Sequence, residues 1–154
     1  MLFCQCLAFK PRLSHFDANG FGESTASSFD YPADVLAAGL WAQSRTPNLN
    51  VGLVGASFGA GWGLCALARD GNPYKLAVLE AVFPTLPEFW KHYPAAHAVL
   101  KISQVLWPAM ERKLRPESEA AKVLGYPDVL LIYGDKDKFT PPDHGERLLT
   151  AFDS

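Results

Sequence analysis

The segment from residue 51 to residue 64 constrains the fold of this chain more than any other part of its sequence. It reads Val-Gly-Leu-Val-Gly-Ala-Ser-Phe-Gly-Ala-Gly-Trp-Gly-Leu. An apolar run, a serine between glycines and small residues at helical spacing predict a strand, a sharp turn and a helix, with Ser57 at the apex. A β-carbon at Gly55 or Gly59 would collide with the neighbouring strand or helix. Ser57 is therefore a candidate nucleophile, and the alternative is a small residue in a tight turn without chemical function.

The overall composition is typical of one globular α/β domain over residues 1–154. Of the 154 residues, 49% are hydrophobic and 19% are charged, which is enough apolar material for a core. The net charge of -2 gives no reason to expect nucleic acid or an anionic membrane surface as a partner. Residues 1–9 are apolar but too short to span a membrane, and the basic residues that follow them are on the wrong side for a secretory signal. We therefore expect no membrane span and a cytoplasmic location.

Cysteines and glycines do not form cofactor-binding patterns. Cys4 and Cys6 are not followed by a second pair of metal ligands, and Cys65 falls in the helix after Ser57, where we expect a buried small hydrophobe. The glycines at 55, 59, 61 and 63 do not have the Gly-x-Gly-x-x-Gly order of a dinucleotide loop. The sequence therefore predicts neither a metal nor an organic cofactor.

Strand and helix patterns alternate along the chain. Buried-strand candidates lie at residues 13–16, 50–54, 76–79 and 129–133, with helical patterns between them and after the last. This alternation predicts an α/β fold with a mostly parallel sheet and helices on both faces. Residues from about 83 to 121 contain no strand pattern, and we interpret them as a helical insert within the same domain.

Polar residues follow the predicted strands at the points where the strands end. Asp17, Ser57, Glu80 and Asp137 each come at or just after such an end. In parallel sheets the carboxyl ends of the strands meet at one edge, and active-site residues collect there. The sequence therefore predicts one site that draws on several strands.

Three segments together resemble the α/β-hydrolase family, and within it the lysophospholipase-like and serine-aminopeptidase-like branch. Residues 17–24 (Asp-Ala-Asn-Gly-Phe-Gly-Glu-Ser) are similar to the family's loop after its fourth strand, with Asn19 in place of an arginine, so we expect this loop to be held differently. Residues 55–59 resemble the nucleophile elbow. Residues 130–137 resemble the seventh strand and the turn that carries the acid of the catalytic triad. The resemblance implies Ser57 as nucleophile, the Phe58 N–H as oxyanion donor, Asp137 as acid and no cofactor.

The acid and the binding pocket have alternatives. Asp137 fits the family pattern, whereas Asp135 is expected to form the turn by bonding local amides, and Glu80 is a second candidate acid because some hydrolases carry the acid on that strand. Aromatic residues of the insert either line an acyl pocket or pack the insert itself; they are Phe83, Phe89, Trp90, Tyr93 and Trp107.

The base that must accept the proton of Ser57 is not evident in the sequence. The family supplies this histidine after an eighth strand, and only 17 residues follow Asp137. His144 follows Asp137 too closely to return to Ser57 and is expected to be a solvated residue at a helix start, although it stays a candidate base. His92 and His97 could reach the site from the insert. We therefore expect the histidine to lie outside these 154 residues.

A second family element also has no evident counterpart. The second oxyanion donor follows the family's third strand, which we expect to lie upstream of residue 1, and residues 1–10 match no family element. Without that strand, residues 51–54 would form an unpaired sheet edge, and such edges invite self-association. The chain is therefore expected to be the central part of a hydrolase cut at both ends.

The functional expectation is a serine hydrolase that acts on ester, thioester or amide bonds of a small-molecule acyl substrate. The alternative is a catalytically inactive fragment or binding module that keeps the hydrolase fold.

Overall fold

The computed structural model describes residues 4–8, 12–106, 115–123 and 127–154. The strands in these residues are β1 (Cys4–Ala8), β2 (Arg12–His15), β3 (Val51–Ala56), β4 (Tyr74–Glu80) and β5 (Asp128–Ile132). The helices are α1 (Tyr31–Arg45), α2 (Phe58–Leu67), α3 (Leu86–Phe89), α4 (Pro94–Leu106), α5 (Pro116–Ala120) and α6 (Pro142–Phe152).

The five strands form one sheet in the order β2-β1-β3-β4-β5. β3, β4 and β5 are parallel neighbours, and β1 is antiparallel to both β2 and β3. Four of the five described strands therefore run in one direction. This arrangement confirms the predicted α/β class and its mostly parallel sheet.

The expected unpaired edge along residues 51–54 is wrong, because β1 pairs with β3 along its length. Cys4 lies opposite Gly55 and Ala8 lies opposite Val51. Only three residues separate β1 from β2, and a connection this short allows antiparallel but not parallel pairing. The N-terminal segment, for which the sequence offered no family counterpart, thus fills the place between β2 and β3 in the opposite direction.

The hydrophobic core lies on one face of the sheet. Leu53, Ala77 and Leu79 point into it, and α2 covers them with nine of its ten residues buried. Gly63 allows α2 to approach the sheet closely, since a β-carbon there would lie 3.0 Å from the Leu53 side chain. A helix that is apolar on every side is expected where other elements cover it, and α1 and α5 pack against α2.

The opposite face of β4 and β5 is open. Leu130 and Ile132 on β5 are 56% and 42% exposed, and Leu76 on β4 is exposed as well. Side chains alternate between the two faces of a strand, so these residues share the face away from the core. Helices were expected on both faces of the sheet. Among the described residues, α1 and α2 pack on the core face.

In the region from 83 to 121, the described residues form α3, α4 and α5 with turns between them, and they contain no strand. Trp107 lies outside the described residues, as do residues 1–3 and 9–11 and residues 124–126. Within the described ranges, no helix has the length and apolar character needed to cross a membrane.

Candidate active site

Ser57 lies at the apex of the turn between β3 and α2. Its backbone has φ 53° and ψ -119°, a region that residues other than glycine rarely adopt. The turn is fixed by two hydrogen bonds: the Ser57 N–H donates to the Glu80 carbonyl at 2.8 Å, and the Gly61 N–H donates to the Ser57 carbonyl at 3.0 Å. The serine is half-buried, and its hydroxyl makes no hydrogen bond to any described residue. The side chain of Ser57 is therefore not held by another group in the described part of the chain.

Gly55 makes the sharp turn sterically possible. A β-carbon at this position would lie 2.9 Å from the backbone N and Cα of Ala60 and 2.9 Å from the Gly59 carbonyl oxygen. These neighbours are backbone atoms, which cannot move without displacing the helix. The first turn of α2 thus packs directly against the end of β3.

A second strained residue, which the sequence did not reveal, lies on the neighbouring strand. Ala81 directly follows β4, has φ 57°, and donates its N–H to the Ile132 carbonyl at 2.9 Å. The carbonyl of the preceding residue, Glu80, is the acceptor for Ser57. Alanine carries no turn signature, so nothing in the sequence could have marked this position.

Asp137 lies in the turn after β5, at the same edge of the sheet as Ser57. Its Oδ1 accepts from the N–H groups of Phe139 (2.8 Å) and Thr140 (3.1 Å), and its Oδ2 accepts from the Thr140 hydroxyl at 2.7 Å. The Thr140 hydroxyl holds the pKa of the Asp137 carboxyl below its ordinary value, and the two N–H groups act the same way against the opposing effect of burial. An ionised carboxylate has about four acceptor positions, so Oδ2 keeps one for a further donor.

The turn-forming role expected of Asp135 belongs to Asp137 instead. Asp135 is exposed, and its carboxylate accepts no hydrogen bond from the described residues. The Asp137 carboxylate accepts from the backbone N–H groups of Phe139 and Thr140, which follow it by two and three residues. This is the usual range over which an aspartate forms hydrogen bonds in a turn. Glu80 is exposed, and only its backbone carbonyl takes part in the turn at Ser57.

His144 is buried, so its expected solvated position is wrong. It is 1% exposed because the first turn of α6 packs its inner side into the core beside Leu148. Burial lowers the pKa of the imidazole, and Nδ1 has no hydrogen-bond partner among the described residues. No hydrogen bond joins His144 to Ser57 or Asp137 in the described part of the chain.

The other three histidines are held by other groups or lie on the surface. His92 Nε2 lies 2.7 Å from the Lys138 carbonyl, which brings this residue of the insert to the Asp137 turn. His97 Nδ1 lies 2.8 Å from the Pro87 carbonyl, and His15 is exposed on β2. Within the described ranges, none of them bonds to Ser57.

An aromatic cluster joins the Ser57 turn to the Asp137 turn. The Phe58 ring lies 5.2 Å from Phe83 and 5.1 Å from Phe89, and Phe89 lies 5.7 Å from Phe139. Trp90 contacts Phe89, and Tyr93 stacks on Phe139. The aromatic residues of the insert therefore pack on one another and on the residues that follow the two candidate catalytic positions.

The loop after β2 is held by Asn19. Its Oδ1 accepts from the N–H groups of Ser27 (2.6 Å) and Ser28 (3.2 Å), and its own N–H donates to the Asp34 carboxylate at 2.9 Å. Asp17 closes the same loop by accepting from the Glu23 N–H at 3.1 Å. The residue that replaces the family's arginine thus organises the loop through hydrogen bonds to its far end.

Two pockets lie away from Ser57. One of about 490 Å³ lies between the loop after β2 and α1, and Asp17, Asn19 and Trp41 are among its lining residues. The other, of about 380 Å³, lies where α2 ends and β4 begins, and Arg69, Asn72 and Lys122 line it. Among the described residues, no group of three His, Cys, Asp or Glu side chains could hold a metal ion.

Comparison with known proteins places this geometry in a family. The sequence model of the prolyl oligopeptidase family matches residues 32–154, which include the Ser57 turn and the Asp137 turn. The chain belongs to the prolyl oligopeptidase family. This assignment confirms the α/β-hydrolase superfamily expected from residues 17–24, 55–59 and 130–137.

Two solved structures share the fold of this chain over a small part of their length. A puromycin hydrolase superposes with a TM-score of 0.60 at 20% identity, covering 78% of this chain and 19% of that chain. A puromycin-hydrolyzing peptidase of Mycobacterium tuberculosis superposes with a TM-score of 0.59 at 22% identity, with the same coverage. At 20% and 22% identity, the structural similarity shows a shared fold alone.

A curated sequence relative is also matched over part of its length. The transcriptional activator protein SolR of Ralstonia nicotianae is 31% identical over 136 residues, covering 80% of this chain and 54% of that protein. The chain therefore spans about half the length of this relative and about a fifth of each similar structure.

Proposed function

We propose that this member of the prolyl oligopeptidase family supplies the nucleophile and the acid of a serine hydrolase that cleaves amide bonds in small acyl substrates. The observation that carries the proposal is the strained backbone of Ser57 at the carboxyl edge of parallel strands. Strain of this kind persists only where the surrounding structure enforces it, and it concentrates at functional sites.

The chemistry follows from the position of Ser57 at the start of α2. The hydroxyl oxygen attacks the substrate carbonyl carbon, and a histidine accepts the hydroxyl proton. The Phe58 N–H, at the positive end of the helix, stabilises the negative charge that develops on the carbonyl oxygen. The histidine then protonates the leaving amine, and water releases the acyl group from Ser57 in a second step.

Asp137 is proposed as the group that orients the histidine. Its free acceptor position on Oδ2 suits the N–H of an imidazole, and its lowered pKa keeps it ionised at neutral pH. We propose that the histidine itself lies outside these 154 residues. In the described part of the chain, no hydrogen bond joins a histidine to Ser57 or Asp137; the four histidines are His15, His92, His97 and His144. Gly55 and Gly59 serve to hold the turn.

Amide substrates are favoured over esters by the family and by the names of the similar structures. The family is one of oligopeptidases, and the two similar structures are named as a puromycin hydrolase and a peptidase. Esters and thioesters remain secondary candidates because the same attack cleaves them. A cytoplasmic location is proposed with this function, in keeping with the free thiol of Cys65.

Turnover of aminoacyl p-nitroanilides and p-nitrophenyl esters tests the proposal. In a protein that contains this chain together with the segment that supplies the histidine, we expect release of nitroaniline and loss of about 1000-fold or more of the rate in Ser57→Ala. Ser44→Ala is the matched control, because its hydroxyl bonds the Trp41 carbonyl at the far end of α1. Equal rates in the chain and in Ser57→Ala would overturn the assignment of the nucleophile.

A catalytically inactive binding module is the second candidate function. It is favoured by one observation, that in the described part of the chain no histidine forms a hydrogen bond with Ser57. A folded sample that neither turns over substrate nor reacts at Ser57 would support this candidate over the enzyme.

A further inference from the structure

Tyr133, the residue that directly follows β5, donates its hydroxyl to the Val82 carbonyl at 2.9 Å. Val82 is fully buried, so its carbonyl has no access to water and depends on a donor from the protein. Burial raises the pKa of the Tyr133 phenol, which therefore stays protonated and remains a donor at neutral pH. The bond joins β5 to the segment that follows β4.

The ring of Tyr133 is held in place by α6. Gly145 of this helix is buried, and a β-carbon at position 145 would lie 2.6 Å from Cε2 of the tyrosine ring. The ring also packs against the hydrophobic core. A ring packed this closely cannot turn away without displacing its neighbours, so the hydroxyl keeps its position relative to Val82.

The residue before Val82 is the strained Ala81. Its backbone has φ 57°, and its N–H donates to the Ile132 carbonyl at 2.9 Å. Ile132 and Tyr133 are consecutive residues, so the end of β5 holds the chain on both sides of Ala81. A strained backbone persists only where the surrounding structure enforces it, and these two bonds are part of what enforces it here.

The peptide group between Glu80 and Ala81 joins this strained residue to Ser57. Its carbonyl oxygen accepts the Ser57 N–H at 2.8 Å, and its N–H is the one that donates to Ile132. A peptide group is planar and turns as one unit. A change of φ at Ala81 would therefore turn the carbonyl away from the Ser57 N–H, and the backbone of Ser57 would lose a restraint.

The residue after Val82 also packs on the Ser57 turn. The Phe83 ring lies 5.2 Å from the ring of Phe58, and a β-carbon at Gly61 would lie 3.1 Å from Cζ of Phe83. The segment that Tyr133 holds thus contacts the turn through its side chain as well as through its backbone.

We propose that Tyr133 is a positioning residue for Ser57, which it holds through Val82 and the peptide group between Glu80 and Ala81. This inference rests on the proposed function, since it takes Ser57 as the nucleophile. A hydroxyl that is displaced by less than 1 Å meets the substrate carbonyl in a poorer geometry. Binding of the substrate does not depend on that geometry, so Tyr133 should act on kcat and not on KM.

Turnover by Tyr133→Phe, in a protein that contains this chain together with the segment that supplies the histidine, tests the proposal. Phenylalanine keeps the ring beside Gly145 and removes the hydroxyl alone. We expect kcat to fall by about 10- to 100-fold with KM unchanged.

Tyr74→Phe is the matched control. Its hydroxyl donates to the carbonyl of the buried Val35 at 2.5 Å, and Tyr74 lies at the start of β4, at the opposite end from Glu80. It should lose stability as Tyr133→Phe does and keep its kcat. A kcat of Tyr133→Phe equal to that of the parent protein, or an equal loss of kcat in the two variants, would overturn the proposal.

Ala81→Gly should rescue the variant. Glycine adopts a positive φ without strain, so the peptide group before it needs less restraint to keep its orientation. Adding Ala81→Gly to Tyr133→Phe should therefore recover most of the lost kcat. A double variant as slow as Tyr133→Phe alone would show that the hydroxyl does not act through Ala81, against the proposal.

Hydrogen exchange separates failure of this inference from failure of the proposed function. The Ser57 and Ala81 amides, followed by mass spectrometry of overlapping peptides, should exchange about tenfold faster in Tyr133→Phe and at the parent rate in Tyr74→Phe. If Ser57→Ala turns over substrate as fast as the parent protein, the proposed function fails, and exchange still decides whether Tyr133 holds the turn. Unchanged exchange at both amides in Tyr133→Phe would overturn the inference with the nucleophile left in place.

Discussion

Two residues at the carboxyl edge of the sheet, Ser57 and Ala81, have positive φ angles of 53° and 57°. Backbone conformations of this kind cost about 1–3 kcal/mol each for residues that have a β-carbon. The two positions are linked, since Ser57 donates to the carbonyl of Glu80, the residue before Ala81. The rest of the fold therefore holds both residues, at the edge where we place the chemistry, in backbone conformations that their side chains disfavour.

Gly55→Ala should destabilise the chain, because its β-carbon would lie 2.9 Å from the backbone of Ala60. Overpacking against atoms that cannot rotate away costs about 1–3 kcal/mol. Gly134→Ala is the matched control, since the nearest atom to its β-carbon is 3.7 Å away. The free energy of unfolding from urea titration measures both. Equal stability of the two variants would show that the first turn of α2 is not packed against β3 as described.

Asp137→Asn, measured with the segment that supplies the histidine present, should lower the rate far more than it lowers stability. The amide still offers an oxygen to Phe139 and Thr140 but loses the charge that orients a histidine, which in a triad costs about 10⁴-fold in kcat. Asp135→Asn and Glu80→Gln should leave kcat within a factor of about two, since neither carboxylate has a partner in the described residues. Loss of rate in Glu80→Gln together with a normal rate in Asp137→Asn would show that Glu80 on β4, and not Asp137, is the acid.

His144 should make the chain less stable as the pH falls below about 6.5, the ordinary pKa of an unfolded histidine. Burial lowers its pKa in the folded chain, with Asp143 and Glu88 opposing and Lys91 and Arg147 adding to the effect. Between the two pKa values the unfolded chain binds a proton that the folded chain does not, so the free energy of unfolding decreases as the pH decreases. Asp137, whose pKa is also lowered in the folded chain, reduces stability only when the pH falls below about 3.8.

Urea titrations at pH values from about 7.5 to 5 check this expectation. His144→Leu should flatten the dependence, because leucine suits the buried site and does not titrate. A dependence that is as steep in His144→Leu as in the parent chain would contradict it.

At the scale of elements, Arg147 joins three helices. Its guanidinium bonds Glu88 of α3 at 2.7 Å and Glu117 of α5 through two bonds of 3.1 and 2.7 Å, from a position on α6. The side chains are partly exposed, so water and salt weaken the attraction. The network holds the insert on the body of the fold.

Arg147→Met should lower the free energy of unfolding by about 1 kcal/mol, because it keeps the packed stem and removes both ion pairs. A double-mutant cycle with Glu117→Gln should give a coupling energy of about 0.5 to 1 kcal/mol that shrinks in high salt. A coupling energy of zero would mean that the bidentate contact contributes nothing to the docking of α5 on α6.

Elements with a strong local pattern could be predicted from the sequence. The apolar run before Ser57 and the run before Asp137 predicted β3 and β5, because short apolar runs bounded by turn residues are typical of strands, although β5 is exposed on one face. The role of β1 could not be predicted, since its place depends on pairing with β3, about 45 residues away, and not on any local signal. The burial of His144 was missed for the same reason, because it depends on what packs against α6.

At the scale of the whole molecule, the sheet brings four strand ends to one edge. β2, β3, β4 and β5 run in the same direction, so the Asp17 loop, Ser57, Glu80 and the Asp137 turn share that edge. The core lies on one face, and the other face of β4 and β5 stays open. The proposed acyl chemistry belongs to this shared edge.

The most direct test of the central claim is the site at which a fluorophosphonate reacts with the folded protein, with the segment that supplies the histidine present. Tryptic digestion and mass spectrometry locate the adduct, and the peptide of residues 46–69 contains Ser57 as its single serine. The account predicts that the added mass appears on this peptide and is lost in Ser57→Ala. An unmodified 46–69 peptide from a folded, reacted sample, or an adduct on another serine, would contradict the assignment of Ser57 as the nucleophile.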